Sequence, residues 1–455
     1  MARLFGTDGV RGIAGKDLDS VLAYKLGRAG AFVLTEGSRH PKILIVRDTR
    51  ISGTMLEAAM AAGICSVGGT PVLGGVLPTP GCAYLVRELE MDAGIVISAS
   101  HNPMEFNGIK FFNRDGYKLP DETEDRIEAY ATDHEEEIPS ATGEDIGAVT
   151  TLENAAEIYA RHLASRVKKD LSKYRVVLDC ANGAVSDIAP RLFASLGLDV
   201  VSMFNRPDGQ NINRDCGSTH MEQLVEYCMN NRADLGLAFD GDGDRMLAVD
   251  ETGTLVNGDE IMMIVACSLA RAGKLAGNTV VATVMSNLGM TIAAREQGIR
   301  LERTAVGDRY VLQRMMEKGY VLGGEQSGHI IFLEDNTTGD GLNTALRLLE
   351  VMAETGEPLS KLAGIMENLP QVLVNVSVTP EGKSAWEKDE EIKAAISAVR
   401  EKHGEQGNLL VRASGTEPLI RVMMEGCNKE EIEEDANALA ALFRKKYGVA
   451  TNGYI

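Results

Sequence analysis

Leu235-Gly236-Leu237-Ala238-Phe239-Asp240-Gly241-Asp242-Gly243-Asp244-Arg245 decides the fold, because an apolar run of five residues breaks into three carboxylates spaced two apart. The run reads as a buried strand. Its C-terminal end, where open α/β sheets take ligands, then carries Asp240, Asp242 and Asp244. Two unit charges about 4 Å apart repel by roughly 4 kcal/mol at an effective dielectric near 20, so three on one short loop ask for a cation. Hard divalent ions take oxygen ligands, and Gly241 and Gly243 let the backbone bend until the carboxylates converge. A solvated acidic turn is the plainer alternative, but it explains neither the third carboxylate nor the Arg. An EF-hand is excluded. Glu251 falls at its twelfth position, yet Arg245 stands at the sixth, where that loop needs Gly, and Leu247-Ala248-Val249 reads as a strand.

Outward from this stretch the chain repeats itself loosely three times. Lys42 to Asp48, Tyr174 to Asp179 and Thr279 to Thr283 each read as a buried strand. Helix-like segments follow at Thr54 to Ala62, Asp187 to Leu196 and Asn287 to Gln297. Glycine-marked second strands start near Gly69 and Gly197, and closing strands are expected at Ala93 to Ile97, Leu235 to Phe239 and Tyr320 to Leu322. The fold class expected is α/β, with three related domains of mixed, mainly parallel sheets sandwiched by helices. From about Gln371 the pattern changes to a smaller α+β domain ending in a helix near Glu430 to Tyr447. The domain boundaries expected are 1–152, 153–255, 256–368 and 369–455. The acidic stretch Thr132 to Asp145 reads as solvated surface.

Composition narrows the function. At 455 residues the chain is too long for one core, and 44% hydrophobic with 25% charged residues describes an ordinary globular protein. Met1 to Gly6 runs into glycine-rich sequence, which predicts no secretory signal, and no apolar run is long enough for a bilayer. Seven cysteines without CxxC spacing suggest reduced thiols and a cytoplasmic protein; Cys65 and Cys267 read as small core residues. A net charge of −20 argues against nucleic acid and anionic membrane as partners. An anionic substrate would need its own cluster of Arg, Lys and backbone N–H groups.

The other closing strands are also followed by chemically rich loops. Ser98-Ala99-Ser100-His101-Asn102-Pro103 offers a hydroxyl beside an imidazole: a group-accepting serine, or a turn with a hydroxyl cap. No Gly-x-Ser-x-Gly elbow surrounds Ser100. In Gly323-Gly324-Glu325-Gln326-Ser327-Gly328-His329, Glu325 and Ser327 suit sugar hydroxyls and His329 suits a phosphate; a tight turn with a core histidine is the alternative. Arg412-Ala413-Ser414-Gly415-Thr416-Glu417-Pro418, with Arg421 beyond it, suits an oxyanion nest and lacks the signature of a nucleotide P-loop. Phe5 to Gly12 is a glycine-rich loop with one cation, Arg11. Lys110, expected at the start of a strand, is embedded in apolar sequence, where a lysine pKa shifts readily.

In order, these five motifs resemble the α-D-phosphohexomutase superfamily, in its glucosamine-phosphate branch, over essentially the whole chain. The resemblance implies four domains around a central cleft, each supplying one loop. It implies an isomerase in which phosphorylated Ser100 exchanges a phosphoryl group with glucosamine 6-phosphate, giving glucosamine 1-phosphate for amino-sugar nucleotide and cell-wall precursor synthesis. Glucosamine 1,6-bisphosphate would be the intermediate and activator. One Mg²⁺ would sit on Asp240, Asp242, Asp244 and a Ser100 phosphate oxygen. His101, Arg245 and Arg11 would lie near the transferring phosphoryl. Glu325 and Ser327 would hold the sugar, with Gly307-Asp308-Arg309 nearby. Arg412, Ser414, Gly415, Thr416 and Arg421 would clamp the other phosphate. Lys110 and His329 are both candidates for proton transfer. The partner implied is a small phosphosugar, with a homodimer allowed.

A phosphoglucomutase or phosphomannomutase would share every one of these features and differ at C2 of the sugar. A non-catalytic metabolite-binding protein would have no use for Ser100 beside the three aspartates. A magnesium-dependent hydrolase would release free phosphate, which a water-excluding cleft disfavours.

Overall fold

The computed structural model describes residues 3–6, 8–35, 40–414 and 418–449. The chain forms two compact units, Met1–Thr283 with Ile299–Ile365, and Val284–Gly298 with Met366–Ile455.

In the first unit one strand arrangement occurs three times. Lys42–Arg47 lies between Thr70–Val76 and Ala93–Ile97, parallel to both, and Phe106–Asn113 adds on antiparallel beyond Ala93–Ile97. Arg175–Asp179 sits likewise between Asp199–Met203 and Leu235–Phe239, with Met246–Asp250 antiparallel beyond. Thr279–Thr283 lies between Arg300–Thr304 and Leu322–Gly324, with Ile330–Phe332 beyond. The sheets hold seven, five and four strands. The third closing strand starts at Leu322, two residues later than Tyr320.

This order explains where the chemistry collects. In each sheet the closing parallel strand turns directly into an antiparallel neighbour, so the connecting loop stays at the strand's C-terminal end. Those loops span 98–105, 240–245 and 325–329. Each lies beside the point where the first strand's neighbours depart in opposite directions, the place where α/β sheets bind ligands.

Burial on both faces produces the apolar runs. Ile43, Ile45, Ile95 and Ile97 share one core with Leu26, Met60 and Ile127 of the helices Ser20–Leu34, Ile51–Cys65 and Asp121–Thr132. Leu44, Val46 and Val96 point the other way and are equally buried. A Cβ at Gly94 would stand 2.6 Å from Val86 Cγ2 and 2.9 Å from Cys82 Sγ, so the helix Thr79–Glu88 packs onto that second face. The acidic stretch is surface, with two short turns at Glu135–Glu137 and Gly143–Asp145 and only Ile138 deeply buried between them.

In the second unit Leu419–Gly426 lies between Gln371–Ser377 and Gly407–Ala413, antiparallel to both. Its apolar face packs on the helices Glu390–His403 and Lys429–Tyr447 through Ile392, Val422, Ile432 and Phe443. Glu430 and Glu431 in the first turn of the last helix, and Arg444, Lys445 and Lys446 in its last, match the helix dipole. The helix Leu288–Glu296 belongs to this unit too: Asn287 donates to the Leu369 carbonyl at 3.0 Å and accepts from the Leu369 N–H at 3.0 Å. All seven cysteines are free thiols. Among the described residues no helix is long and apolar enough to cross a membrane.

Candidate active site

Ser100 is buried and takes a left-handed backbone, φ 54°, uncommon for a residue with a side chain. Its Oγ donates to Asp240 Oδ2 at 2.6 Å. His101 Nδ1 lies 3.4 Å from Ser100 Oγ and 3.4 Å from Arg245 Nη1. An arginine only donates, so Nδ1 is the acceptor and the ring proton sits on Nε2. Burial, then Arg245 and Arg11, hold the His101 pKa below its ordinary value.

Asp240, Asp242 and Asp244 present one oxygen each within 4.8 Å of one another. All three are buried. Asp242 Oδ2 accepts from Thr79 Oγ1 at 2.6 Å and Lys110 Nζ at 2.8 Å, but Asp242 Oδ1 and Asp244 Oδ1 are buried with no hydrogen-bond partner among the described residues. Burial, with Asp244 and Asp242 beside it, pushes the Asp240 carboxyl well up. Orphaned carboxylate oxygens around a group that resists ionisation are what a hard divalent cation would satisfy. Both glycines are required: a Cβ at Gly241 would lie 2.4 Å from the Ser100 carbonyl oxygen, and Gly243 has φ 68°.

His329 is buried, with Nδ1 3.4 Å from Asp244 Oδ2 and Nε2 3.5 Å from Asp308 Oδ2. Its Nε2 accepts from the Gly339 N–H at 3.0 Å, which places the proton of the neutral ring on Nδ1, facing Asp244. Burial works against the charged ring, but Asp244 and Asp308 outweigh it and raise the pKa. That pull toward imidazolium competes with the Gly339 hydrogen bond, and a cation among the aspartates opposes it. Lys110 lies in the middle of the Phe106–Asn113 strand, not at its start. Its Nζ is 2.8 Å from Asp242 Oδ2 and 2.9 Å from Asp8 Oδ2, and these carboxylates, with Asp244, outweigh burial to keep it protonated.

A cavity of about 220 Å³ opens beside these groups, lined by Asp8, Arg11, Lys118, Asp244, Arg245, Glu325, His329 and residues 306–310. Arg245 stays charged because Asp244 and Asp240 outweigh its burial. Glu325 Oε1 accepts from the Gly307 N–H at 3.2 Å. Arg309 lines the cavity while its guanidinium pairs with Asp121 and with Glu124. Ser327 is exposed and not in the cavity lining. Sequence reasoning missed Lys118, whose Nζ bridges Asp8 Oδ1 at 2.6 Å and Asp308 Oδ2 at 2.5 Å, and Asp8 and Thr79 as partners of Lys110 and Asp242.

In the second unit Arg412 and Arg421 are directly paired across antiparallel strands. Burial and then the Arg421 charge lower the Arg412 pKa, so an anion is favoured beside them. Ser414 is buried and its N–H donates to the Leu419 carbonyl at 2.8 Å. Gly415 and Thr416 lie outside the described residues.

Family models described as phosphoglucomutase/phosphomannomutase match the chain four times: alpha/beta/alpha domain I at residues 2–138, domain II at 157–253, domain III at 257–369, and the C-terminal domain at 373–442. A phosphoglucosamine mutase of Clostridium novyi is 55% identical over 98% of this chain and 99% of its own length. One of Acetivibrio thermocellus is 54% identical over 98% and 100%. Among solved structures, a phosphoglucomutase/phosphomannomutase family protein from Burkholderia thailandensis superposes with a TM-score of 0.83 at 25% identity, covering 98% of both chains. The Aspergillus fumigatus N-acetylphosphoglucosamine mutase, solved with GlcNAc-6P and magnesium, shares the fold at a TM-score of 0.68 and 18% identity over 97% of this chain and 95% of its own.

Proposed function

The chain belongs to the phosphoglucosamine mutase family of phosphohexomutase isomerases, and from that premise we propose that it interconverts glucosamine 6-phosphate and glucosamine 1-phosphate through a phosphorylated Ser100. The observation that carries this reading is the 2.6 Å hydrogen bond from Ser100 Oγ to Asp240 Oδ2, which sets a buried hydroxyl among converging carboxylates.

In the forward direction the O1 hydroxyl of glucosamine 6-phosphate forms a new P–O bond as the phosphoserine P–Oγ bond breaks. The O1 proton leaves to a base and Ser100 Oγ regains a proton. Glucosamine 1,6-bisphosphate then turns end for end. Its 6-phosphoryl passes to Ser100 Oγ, which gives up its proton to a base as the new P–O bond forms, the P–O6 bond breaks, and O6 takes up a proton. Asp240, Asp242 and Asp244, with a phosphoserine oxygen, would hold Mg²⁺, and the ion would supply neutralisation of charge on the phosphoryl group. Arg11, His101 and Arg245 are assigned to the phosphoryl oxygens, and Glu325, Ser327 and Arg309 to the sugar. Arg412, Ser414, Gly415, Thr416 and Arg421 are assigned to the non-reacting phosphate, supported by the paired guanidiniums. Lys110, held as a cation between Asp242 and Asp8, and His329, whose Nδ1 proton faces Asp244, are the two candidates for moving the proton.

The loops are assigned to domains 1–152, 153–255, 256–368 and 369–455. Seven free thiols support a cytoplasmic setting, and a homodimer is allowed without being required. The substrate test is kcat/KM on matched glucosamine, glucose and mannose 6-phosphates. Glucosamine 6-phosphate is expected to be best; a preference for glucose or mannose would make the chain a phosphoglucomutase or phosphomannomutase with the same chemistry.

A further inference from the structure

Behind the nucleophile lies a buried ion pair that the chemistry above does not use. Arg50 is 1% exposed and Asp48 1%, just past the strand Lys42–Arg47. Arg50 Nε donates to Asp48 Oδ2 at 2.9 Å. Among the described residues its other two nitrogens reach only main-chain carbonyls of the serine loop: Nη2 donates to Ser100 O at 2.9 Å and Asn102 O at 2.8 Å, and Nη1 to Pro103 O at 2.5 Å. A second buried donor comes from elsewhere in the chain. Asn213 Nδ2 bonds the same two carbonyls, Ser100 O at 2.8 Å and Asn102 O at 3.0 Å. The amide side of Ser100 is held too, since its N–H donates to Ser98 Oγ at 3.0 Å and Ser98 Oγ donates to Asp48 Oδ2 at 2.6 Å.

Both backbone groups of Ser100 are therefore tied, directly or through Ser98, to one ion pair. A left-handed residue with a side chain costs about 1–2 kcal/mol and persists only where its surroundings impose it. A buried ion pair, for its part, is often no better for stability than apolar residues of the same volume. The fork geometry of a guanidinium supplies what neither an ammonium nor an apolar side chain can, several fixed donors in one plane.

We propose that Arg50, seated on Asp48 and seconded by Asn213, is the positioning residue that imposes the left-handed conformation of Ser100 and so aims its Oγ at Asp240. This rests on Ser100 being the phosphoryl carrier. Intact-mass analysis of the wild type checks that separately: no phosphate on Ser100 would fail the mechanism, whatever Arg50 does.

The test is Arg50→Lys, which keeps the charge and loses the fork. A displacement of about 1 Å at the reacting atom costs on the order of 100-fold in rate, so kcat is expected to fall about that much. KM for glucosamine 6-phosphate, and the Mg²⁺ affinity of the unphosphorylated protein by calorimetry, should stay within a few-fold, because the sugar contacts and the three aspartates come from other loops. Millimolar methylguanidinium added to Arg50→Ala should restore part of kcat. Asn213→Ala, which removes one donor from each carbonyl and keeps Arg50, should lower kcat about 10-fold with the same unchanged KM, and it decides the matter if the Arg50 variants do not fold. Unchanged kcat in Arg50→Lys or Asn213→Ala overturns the proposal. So does a parallel loss of kcat and of Mg²⁺ affinity in the unphosphorylated protein without rescue, which would mark Arg50 as a folding residue only.

Discussion

Ser100 Oγ and Asp240 Oδ2 stand 2.6 Å apart although 140 positions separate them, so the proposed nucleophile and the proposed cation site form one hydrogen-bonded unit. The repeated strand order explains the meeting. Both residues follow a closing parallel strand at the turn into an antiparallel one, so equivalent loops of two sheets face each other. Gly241 permits the last approach by having no Cβ.

Divalent cation should stabilise the protein. Two buried carboxylate oxygens lack hydrogen-bond partners among the described residues, so Mg²⁺ is expected to raise Tm, by an amount equivalent to about 2.7 kcal/mol at a hundred times its Kd. Thermal melts of wild type and Asp242→Asn with and without Mg²⁺ check this; the variant should show little or no rise.

Gly241→Ala should separate the two loops. Its Cβ would meet Ser100 O at 2.4 Å and Asn213 Nδ2 at 2.9 Å. A backbone oxygen cannot rotate away, so stability should fall by about 1–3 kcal/mol and kcat by more than 10-fold. Denaturant titration and steady-state kinetics measure the two effects.

Lys118→Met should cost more than an ordinary surface change. It leaves Asp8 and Asp308 without the cation that bridges them at 2.6 and 2.5 Å. The three groups are half-buried and Asp8 keeps Lys110 and Arg11, so losing the charged hydrogen bonds should cost about 1–3 kcal/mol. The loss is expected in urea unfolding, with KM for the sugar phosphate rising as the cavity wall loosens.

Asp340 gives a pH test away from the aspartate triad. It accepts from Tyr159 Oη at 2.7 Å and caps the helix Gly341–Thr355 through Asn343 N, and burial pushes its carboxyl up to about 6. The unfolded value is about 3.9, so the folded chain binds this proton more tightly. Its contribution is fully present below pH ~4 and lost as pH rises through ~6. Asp340→Asn lacks that term. Its deficit relative to wild type should therefore grow by about 1 kcal/mol from pH 7 to pH 5, read from paired denaturation curves. A deficit independent of pH would remove the buried carboxylic acid from the explanation.

The sequence carried the repeated units and their three chemical loops because both are local. A strand buried on both faces reads as an apolar run, as Ile43 to Val46 does, and three aspartates spaced two apart need a common partner wherever they sit. The partners that complete the site are not local. Lys118 follows an ordinary turn, Asn213 sits in a polar loop, and Thr79 starts a helix; only strand order brings them to Asp8, Ser100 and Asp242. Arg50 had no signal either, since a buried guanidinium spent on main-chain carbonyls looks like a surface arginine in sequence. Lys110 stands out in the sequence by its apolar surroundings, but the two carboxylates flanking it come from distant segments.

Rapid-quench analysis with isotopically labelled phosphate on the enzyme tests the phosphoserine mechanism most directly. Labelled protein is mixed with one equivalent of glucosamine 6-phosphate within a single turnover. The label should leave Ser100 for glucosamine 1,6-bisphosphate before glucosamine 1-phosphate appears, and Ser100→Ala should take up none. Glucosamine 1-phosphate forming while the label stays on the protein, or leaves as inorganic phosphate, would contradict it.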